Sequence, residues 1–284
     1  MGGVELKVVS AGDIVERVAE LCVRACVVVA PDVRSAMEQA LDRESGIARR
    51  VLEDMLLNQD VAIDNGIPIC QDTGMVVVFL EIGQDVRIVG GDVSAAVQEG
   101  VRRGYTDGYL RKSVVGDPID RRNTNDNTPA VIHYSVVPGD ELKIIVCPKG
   151  FGSENMSRIK MLLPGDGVAG IFGFVTETVK LAASNPCPPI IVGVGVGGTF
   201  EYAALMAKRA LLRKVGSRNA DADWARREDE LLERVNALGI GPSGFGGVTT
   251  ALAVHINAYA THIAGLPVAV NLACHANRHE EAVL

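Results

Sequence analysis

Apolar residues in the N-terminal part of the chain recur at the three- and four-residue intervals of an amphipathic helix. Ser10 and Asp13 stand just before this pattern, and either side chain can cap a helix. We expect Pro31 to end the first helix, because proline does not continue a helix interior. The helical pattern then resumes and lasts until Asn65 and Gly66, which interrupt it. The first third of the chain is therefore predicted to be helical.

The period of the pattern changes after this point, from helical to strand-like. Residues 75–80 and 86–89 are predicted strands separated by a short polar turn. Residues 131–137 and 141–147 are rich in β-branched side chains and flank a Pro-Gly-Asp turn at residues 138–140. This arrangement predicts a β-hairpin formed by the second pair of strands.

The rest of the chain alternates between helical and strand-like patterns. Helices are predicted over residues 93–103, 167–183, 200–212 and 222–238, and strands over residues 190–196, 252–258 and 267–273. Repeats, low-complexity tracts and long linkers are not evident. We predict a mixed α/β fold, with a helical N-terminal third followed by a mixed sheet and covering helices, in a single domain spanning residues 1–284.

Composition excludes several classes of protein. The 284 residues are 48% hydrophobic and 22% charged, which is typical of a globular chain. A formal net charge of −7 gives no support to nucleic-acid binding. The apolar runs are too short to span a bilayer, and no secretory leader is visible, so we expect no membrane association and a cytoplasmic location. In that compartment, cysteines are thiols or metal ligands more often than disulfides.

The six cysteines fall into two groups. The core cysteines lie in or at the end of predicted helices and strands, where buried thiols are common: Cys22, Cys26 and Cys147. The junction cysteines lie at the ends of elements, where ligands tend to sit: Cys70, Cys187 and Cys274. Their long spacing is unlike a zinc motif. Three thiolates on a cubane would leave one iron open to act as a Lewis acid, but spacing alone also allows three buried thiols.

Residues 193–198 read GVGVGG and satisfy the glycine pattern of a dinucleotide loop between a strand and a helix. The acid-bearing second strand of that motif is missing, which argues against a dinucleotide. The helix that begins after Thr199 can still present free N–H groups to an anion or a cluster edge. A regulatory module that binds an anion or a nucleotide through this stretch is therefore the non-enzyme alternative.

Few charged residues stand out as candidates. Asp72 lies two residues after a junction cysteine, and Arg111 follows a bend, where its planar guanidinium suits a carboxylate. His262 and His275 share the C-terminal segment of Cys274, where a proton donor would be useful. Each of these residues alone is as easily a surface charge.

Six motifs follow one another along the chain: PICQDTG at 68–74, NTNDNTP at 123–129, KGFGSEN at 149–155, GVGVGGT at 193–199, GPSGFGG at 241–247, and THIAGLP at 261–267, which runs on to Cys274. Taken together, they resemble the α subunit, or N-terminal domain, of the class I iron–sulfur hydro-lyases, fumarate hydratase and L(+)-tartrate dehydratase. The resemblance runs from about Ile47 to Arg278.

The resemblance implies a site and a reaction. It implies that Cys70, Cys187 and Cys274 hold a [4Fe–4S] cluster. The residues it places beside a small dicarboxylate are Gln71, Asp72, Arg111, Gly152 and His262. Asp72 and His262 would be catalytic, and His262 would reach the site of a neighbouring protomer. The implied reaction is the reversible hydration of fumarate to malate, with L(+)-tartrate dehydration as the alternative.

The resemblance also implies a partner. Single-chain members of the family continue beyond the region of Arg278 into a second domain, which supplies the base and further cationic substrate ligands. We therefore expect this chain to need a β subunit, in an α₂β₂ assembly.

Overall fold

The computed structural model describes residues 6–284, and its contacts divide the chain into two compact units. Unit 1 comprises the chain up to Val29 together with Gln59–Gly150 and Arg278–Leu284. Unit 2 comprises Ala30–Asn58 and Phe151–Asn277. The architecture is mixed α/β, as predicted. The extent of the single domain stays a prediction.

The helices and strands follow one another along the chain in this order: β1 (Lys7–Ser10), α1 (Ala11–Val27), α2 (Pro31–Leu41), α3 (Gly46–Asn65), β2 (Met75–Gly83), β3 (Val86–Val89), α4 (Val93–Asp107), β4 (Val131–Val137), β5 (Leu142–Lys149), α5 (Phe151–Glu154), β6 (Arg158–Leu162), α6 (Gly167–Ala182), β7 (Ile190–Gly198), α7 (Phe200–Ala210), α8 (Ala222–Asn236), β8 (Ala251–Thr261), β9 (Leu266–Ala273) and β10 (Glu280–Val283). Among the described residues, no helix is both long enough and apolar enough to cross a bilayer.

Unit 1 is built on a sheet with strand order β10-β5-β2-β4, against which α1 and α4 pack. Ser10 caps α1 by accepting a hydrogen bond from the Asp13 amide (3.0 Å), and the Asp13 carboxylate accepts from the Ser10 amide, so the predicted cap is confirmed. The prediction for Pro31 is wrong. Helix α1 ends at Val27, and Pro31 begins α2, where its fixed φ suits the first turn and its missing N–H has no partner to lose.

The predicted hairpin is also wrong, although both of its strands exist. Strand β2 lies between β4 and β5, parallel to the first and antiparallel to the second. The connecting turn passes over the end of β2, where the Gln84 amide donates to the Val137 carbonyl (2.9 Å) and the Asp85 amide donates to the Gly139 carbonyl (3.0 Å). Strand β3 likewise pairs with β1 rather than with β2. Turn residues predict that the chain reverses direction, but they do not determine whether the two flanking strands pair with each other or with a third strand between them.

Unit 2 is built on a sheet with strand order β6-β9-β7-β8. The central strand β7 runs parallel to β8 and antiparallel to β9, and almost all of its residues are buried. Such burial explains the continuous apolar run that predicted this strand. Apolar side chains of α6 and α8 complete the core, including Phe174, Val175 and Leu231.

The glycines of β7 are required by packing rather than by a phosphate. A Cβ atom at Gly193 would lie 2.2 Å from the Ala207 carbonyl oxygen, and one at Gly195 would lie 2.0 Å from the Ala203 carbonyl oxygen. Helix α7 therefore rests directly on the strand backbone. This contact accounts for Gly193 and Gly195 of the glycine pattern at residues 193–198, and a Cβ at Gly197 would lie 2.0 Å from the Tyr259 carbonyl oxygen of β8, so packing explains these three glycines without a nucleotide.

We predict that Gly195→Ala destabilises the chain by about 3 kcal/mol, because the new methyl group overlaps the backbone of α7. Gly173→Ala is the matched control, since a Cβ there has no neighbour within 4 Å. It lies inside α6, so we expect it to stabilise the chain by about 0.5–1 kcal/mol. Urea unfolding of the two variants measures the difference. Equal free energies of unfolding would contradict this packing.

Candidate functional site

Cys70, Gln71 and Asp72 lie in the segment that joins α3 to β2, which we call the cysteine loop (residues 66–74). The Ile69 amide donates to the Cys26 carbonyl (3.0 Å), which ties the start of the loop to the end of α1. The Cys70 thiol is half-buried and lies 3.4 Å from the Oε1 atom of Gln71, whose side chain is exposed. The loop therefore presents a thiol and an amide at its surface.

The end of the cysteine loop is held by neutral donors from the core of unit 1. The Thr73 carbonyl accepts hydrogen bonds from the Tyr105 hydroxyl (2.6 Å) and the Cys26 thiol (3.8 Å). The same hydroxyl lies 3.3 Å from the Gly74 carbonyl oxygen. Burial raises the pKa of Cys26 to about 11 and also raises the pKa of Tyr105, so both groups remain protonated donors at neutral pH.

Asp72 takes part in one local hydrogen bond and one hydrogen bond from a residue distant in the sequence. Its Oδ1 atom accepts a hydrogen bond from the Gly74 amide (2.9 Å), and its carbonyl accepts one from the Arg278 guanidinium. Arg278 is only 5% exposed. Gly74 has a φ of +79°, and a Cβ there would lie 2.7 Å from the Lys149 backbone, so this turn requires glycine.

Arg111 lies beyond the end of α4, in a segment that we call the arginine loop (residues 108–115). Tyr109 leaves the helix with a φ of 53° and is 91% exposed, and Leu110 returns to the core. The Thr73 hydroxyl donates to the Arg111 carbonyl (3.0 Å), which links this loop to the cysteine loop. The exposed Arg111 guanidinium forms no ion pair with a described residue, so it is available to an anion.

In unit 2, Cys187 occupies the turn between α6 and β7. It is exposed and has a φ of 53°, a left-handed conformation that is uncommon for a residue other than glycine. The His275 amide (3.4 Å) and ring Nδ1 (3.2 Å) both lie within hydrogen-bonding distance of the Cys187 carbonyl oxygen. Cys274 immediately precedes this histidine and follows the last residue of β9, so the structure brings Cys187 and Cys274 to one end of the sheet.

Gly152 lies at the same end of unit 2. A Cβ at Gly152 would be 3.4 Å from the Asn185 carbonyl oxygen, two residues before Cys187. The following Glu154 accepts from the Asn271 amide group on β9 (2.8 Å) and from the Lys208 ammonium (2.6 Å). Hydrogen bonds of Glu154 in the KGFGSEN motif therefore connect the Gly152 segment to β9, the strand that Cys274 follows.

His262 does not join this group. It follows β8, whose last residue Thr261 pairs with Gly198 at the far end of β7. Strand β7 has nine residues, so His262 lies about 25 Å from the cysteine end of the unit 2 sheet. The histidine is exposed, and two open grooves of about 510 and 440 Å³ flank it. Sharing the C-terminal segment with Cys274 therefore does not bring His262 close to that cysteine.

Thr199 shares this far end of the sheet, so the start of α7 cannot serve as a cluster edge beside Cys187 and Cys274 of unit 2. His255 of β8 is a buried core residue. Its Nδ1 atom lies 3.1 Å from the Ala210 carbonyl oxygen, and burial lowers its pKa.

The accessibility of the thiols matches the chemistry expected of a cluster. The core cysteines are all buried, whereas Cys187 is exposed and Cys70 and Cys274 are half-buried. Within residues 6–284, no three His, Cys, Asp or Glu side chains are grouped closely enough to hold a single metal ion. The thiolates of a cubane bind different irons, so that finding does not address a cluster. The donor type, the accessibility and the pairing of Cys187 with the Cys274 segment fit one.

Several residues of the site were missed in the sequence. Tyr105 and Asn127 are fully buried and donate to the backbone of the cysteine loop, and Arg278 donates to Asp72. Their partners are distant along the chain, so periodicity gives no sign of them. The only available signal was the position of Asn127 inside the NTNDNTP motif.

Comparison of the chain with known proteins shows which family it belongs to. A family model described as fumarate hydratase (fumerase) matches residues 15–283. The protein named "Putative L(+)-tartrate dehydratase subunit alpha" of Methanocaldococcus jannaschii is 42% identical over 268 residues, which cover 92% of this chain and 94% of that protein. The "L(+)-tartrate dehydratase subunit alpha" of Escherichia coli K12 is 34% identical over 252 residues, covering 87% and 82% respectively.

These similarities identify the chain as an enzyme of the hydro-lyase class. It belongs to the fumarate hydratase (fumerase) family, and the resemblance inferred from the motifs is confirmed.

We predict that the junction cysteines of the metal-free chain react with iodoacetamide faster than the core cysteines. Cys187 should label first and Cys70 and Cys274 next, because a buried thiol is both shielded and protonated. With a pKa of about 11, roughly one Cys26 thiol in a thousand is ionised at pH 8. Peptide mass spectrometry after timed labelling gives the six rates, and labelling in urea gives the unfolded control. Equal rates for Cys26 and Cys187 in the folded chain would contradict the structure.

Proposed function

We propose that this chain is the α subunit of an iron–sulfur hydro-lyase that adds water reversibly to a four-carbon dicarboxylate. Fumarate, hydrated to malate, is the first candidate substrate. The observation that carries the proposal is the division of the cysteines: the three junction cysteines are exposed or half-buried, and the three core cysteines are buried. Membership of the fumarate hydratase family supports the reaction class.

Cys70, Cys187 and Cys274 would hold a [4Fe–4S] cluster through their thiolates. When bound, such a cluster with one iron free of protein thiolate supplies a Lewis acid that assists departure of a hydroxyl group. The surrounding residues would bind and orient the diacid. The Arg111 guanidinium would pair with one carboxylate through two parallel hydrogen bonds, because it has no protein carboxylate to satisfy within the described residues.

The other named residues would complete the binding surface. Gln71 offers an exposed amide beside the Cys70 thiol, and Gly152 offers backbone close to the Cys187 turn. Asp72 would assist the base that removes the proton from the carbon next to the hydroxyl-bearing carbon. His262, which is distant from the cysteines of its own unit 2 sheet, would act in the site of a neighbouring protomer.

A second candidate substrate is L(+)-tartrate. Two relatives at 42% and 34% identity carry the name of L(+)-tartrate dehydratase subunit alpha, one of them with the qualifier "Putative". The same names support the proposal of a β subunit, which would contribute the base and further cations in an α₂β₂ assembly. A cytoplasmic location is part of the same proposal.

We expect anaerobic co-purification with the β subunit to yield a brown complex that contains iron and sulfide. Cys70→Ser, Cys187→Ser and Cys274→Ser should each lower the iron content and abolish activity, because the hydroxyl group is a poor ligand for the cluster. Cys147→Ala is the matched control, since it removes a buried thiol outside the ligand set. Iron and sulfide assays together with turnover measure the outcome.

Two results would contradict this assignment. One is full hydratase activity in a colourless complex free of iron. The other is retention of iron in all three serine variants, with circular dichroism showing the native fold. Prolonged exposure to air should inactivate the enzyme, because an iron without a thiolate is accessible to oxidants.

We expect Arg111→Lys to raise the KM for the dicarboxylate by about ten- to a hundredfold, because lysine cannot reproduce the two parallel hydrogen bonds. Steady-state kinetics on the assembled complex, with fumarate, malate and L(+)-tartrate in parallel, provides the measurement and identifies the preferred substrate. Arg121→Lys serves as the control, since Arg121 is an exposed arginine outside the motifs. An unchanged KM for every substrate in Arg111→Lys would contradict the proposal that Arg111 binds a substrate carboxylate.

A further inference from the structure

The NTNDNTP motif, which we call the asparagine strap (residues 123–129), supplies none of the residues proposed above to bind the cluster or the dicarboxylate. Its polar side chains nevertheless fix the strap in place. The Asn123 amide group donates to the Lys112 carbonyl (2.8 Å), and the Asp126 carboxylate accepts from Thr128 and Arg102. Partial burial tends to raise the pKa of Asp126, but these hydrogen bonds outweigh it and hold the pKa at about 2. The strap is therefore anchored at neutral pH.

Asn127 is the one strap residue that is completely buried, with 0% of its surface exposed. Its two amide atoms face in different directions. The Oδ1 atom accepts a hydrogen bond from the Ser113 amide in the arginine loop (2.7 Å). The Nδ2 atom donates to the Gly74 carbonyl in the cysteine loop (3.2 Å). A single side chain thus bridges the two loops of unit 1 that carry proposed site residues.

A second bridge runs beside the first. The Thr73 hydroxyl donates to the Arg111 carbonyl (3.0 Å), one residue before the Gly74 carbonyl that Asn127 holds. The two bridges share Thr73–Gly74 at one side and residues 111–113 at the other. Together they fix the backbone of Arg111 relative to the backbone that follows Cys70 and Asp72.

We infer that Asn127 is a positioning residue, which sets where Arg111 presents its guanidinium relative to the cysteine loop and so sets the affinity for the dicarboxylate. The inference rests on the proposed function, which supplies the roles of Arg111 and Cys70. Asparagine suits the position for two reasons. It tolerates the φ of 62° found there, and its amide is at once a donor and an acceptor.

Asn127→Gly is the most direct test, because glycine keeps the left-handed backbone and removes both hydrogen bonds. Asn125→Gly is the matched control: Asn125 lies in the same strap, has a φ of 65° and is exposed. We expect Asn127→Gly to raise the KM for the dicarboxylate of the assembled complex by about tenfold, with iron content unchanged. The control should leave both quantities unchanged.

A readout independent of activity uses the metal-free chain. Loss of the Asn127 bridge should increase amide exchange over residues 111–114 and increase the iodoacetamide labelling rate of Cys70 by about tenfold. The labelling rate of Cys187, which lies in unit 2, serves as the internal reference. If the wild-type complex proves to have no cluster or activity, the proposed function fails, and this readout still tests the bridge.

Two further variants keep the test decisive if Asn127→Gly does not fold. Thr73→Val removes the second bridge, and Thr73→Ser retains it, so only the valine variant should raise KM. Asn127→Asp retains the acceptor for Ser113 and loses the donor to Gly74. A KM equal to wild type in Asn127→Gly or Thr73→Val, or equal exchange and labelling in Asn127→Gly and Asn125→Gly, would overturn the inference. So would a loss of iron content with KM unchanged, which is the pattern of a merely structural residue.

Discussion

Backbone polar groups of loops must find hydrogen-bond partners that no neighbouring strand provides, and this constraint governs the whole candidate site. The proposed site residues lie on loops or next to the ends of elements, except Gly152, which lies in the four-residue helix α5. The Thr73 and Gly74 carbonyls are satisfied by Tyr105, Cys26 and Asn127. In unit 2, the Cys187 carbonyl is satisfied by its contacts with His275. Contacts made to main-chain atoms beside the site residues therefore contribute to positioning them.

The same constraint explains which features were visible in the sequence. Helix caps, strand patterns and the separation of core from junction cysteines depend on local spacing, and these predictions agree with the structure. The β4–β5 hairpin failed because insertion of β2 is a non-local event that leaves the turn residues unchanged. Asn127 and Arg278 were missed because their partners lie 53 and 206 residues away along the chain. Burial of a polar side chain is recognisable only once the fold supplies its partners.

The glycines separate into two physical classes that one sequence pattern cannot distinguish. In β7, glycines allow α7 to approach the strand backbone, and they lie on the way to the end of the sheet opposite Cys187 and Cys274. In the cysteine loop, Gly74 combines a positive φ with a close backbone contact, next to the proposed site residues. A glycine-rich run after a strand is therefore weak support for ligand binding unless the space that each missing Cβ leaves is open to solvent.

The choice of neutral anchors in unit 1 has an electrostatic consequence. A hydroxyl, a thiol and a carboxamide satisfy the Thr73 and Gly74 carbonyls without adding charge, so these three groups neither attract nor repel an anionic ligand at long range, whereas the Asp72 carbonyl accepts from the charged Arg278. The two arginines near the cysteine loop, Arg278 and Arg111, differ in burial and in hydrogen-bond partners. Arg278 is buried and donates to the Asp72 carbonyl, whereas Arg111 is exposed and has no carboxylate partner within the described residues. A carboxylate beside the arginine loop would form an ion pair with Arg111 inside the protein, and a dicarboxylate would have to break that pair to bind. Neutral anchoring of Thr73 and Gly74 thus leaves the Arg111 guanidinium without an ion-pair partner among the described residues, as the proposed binding of a small diacid requires.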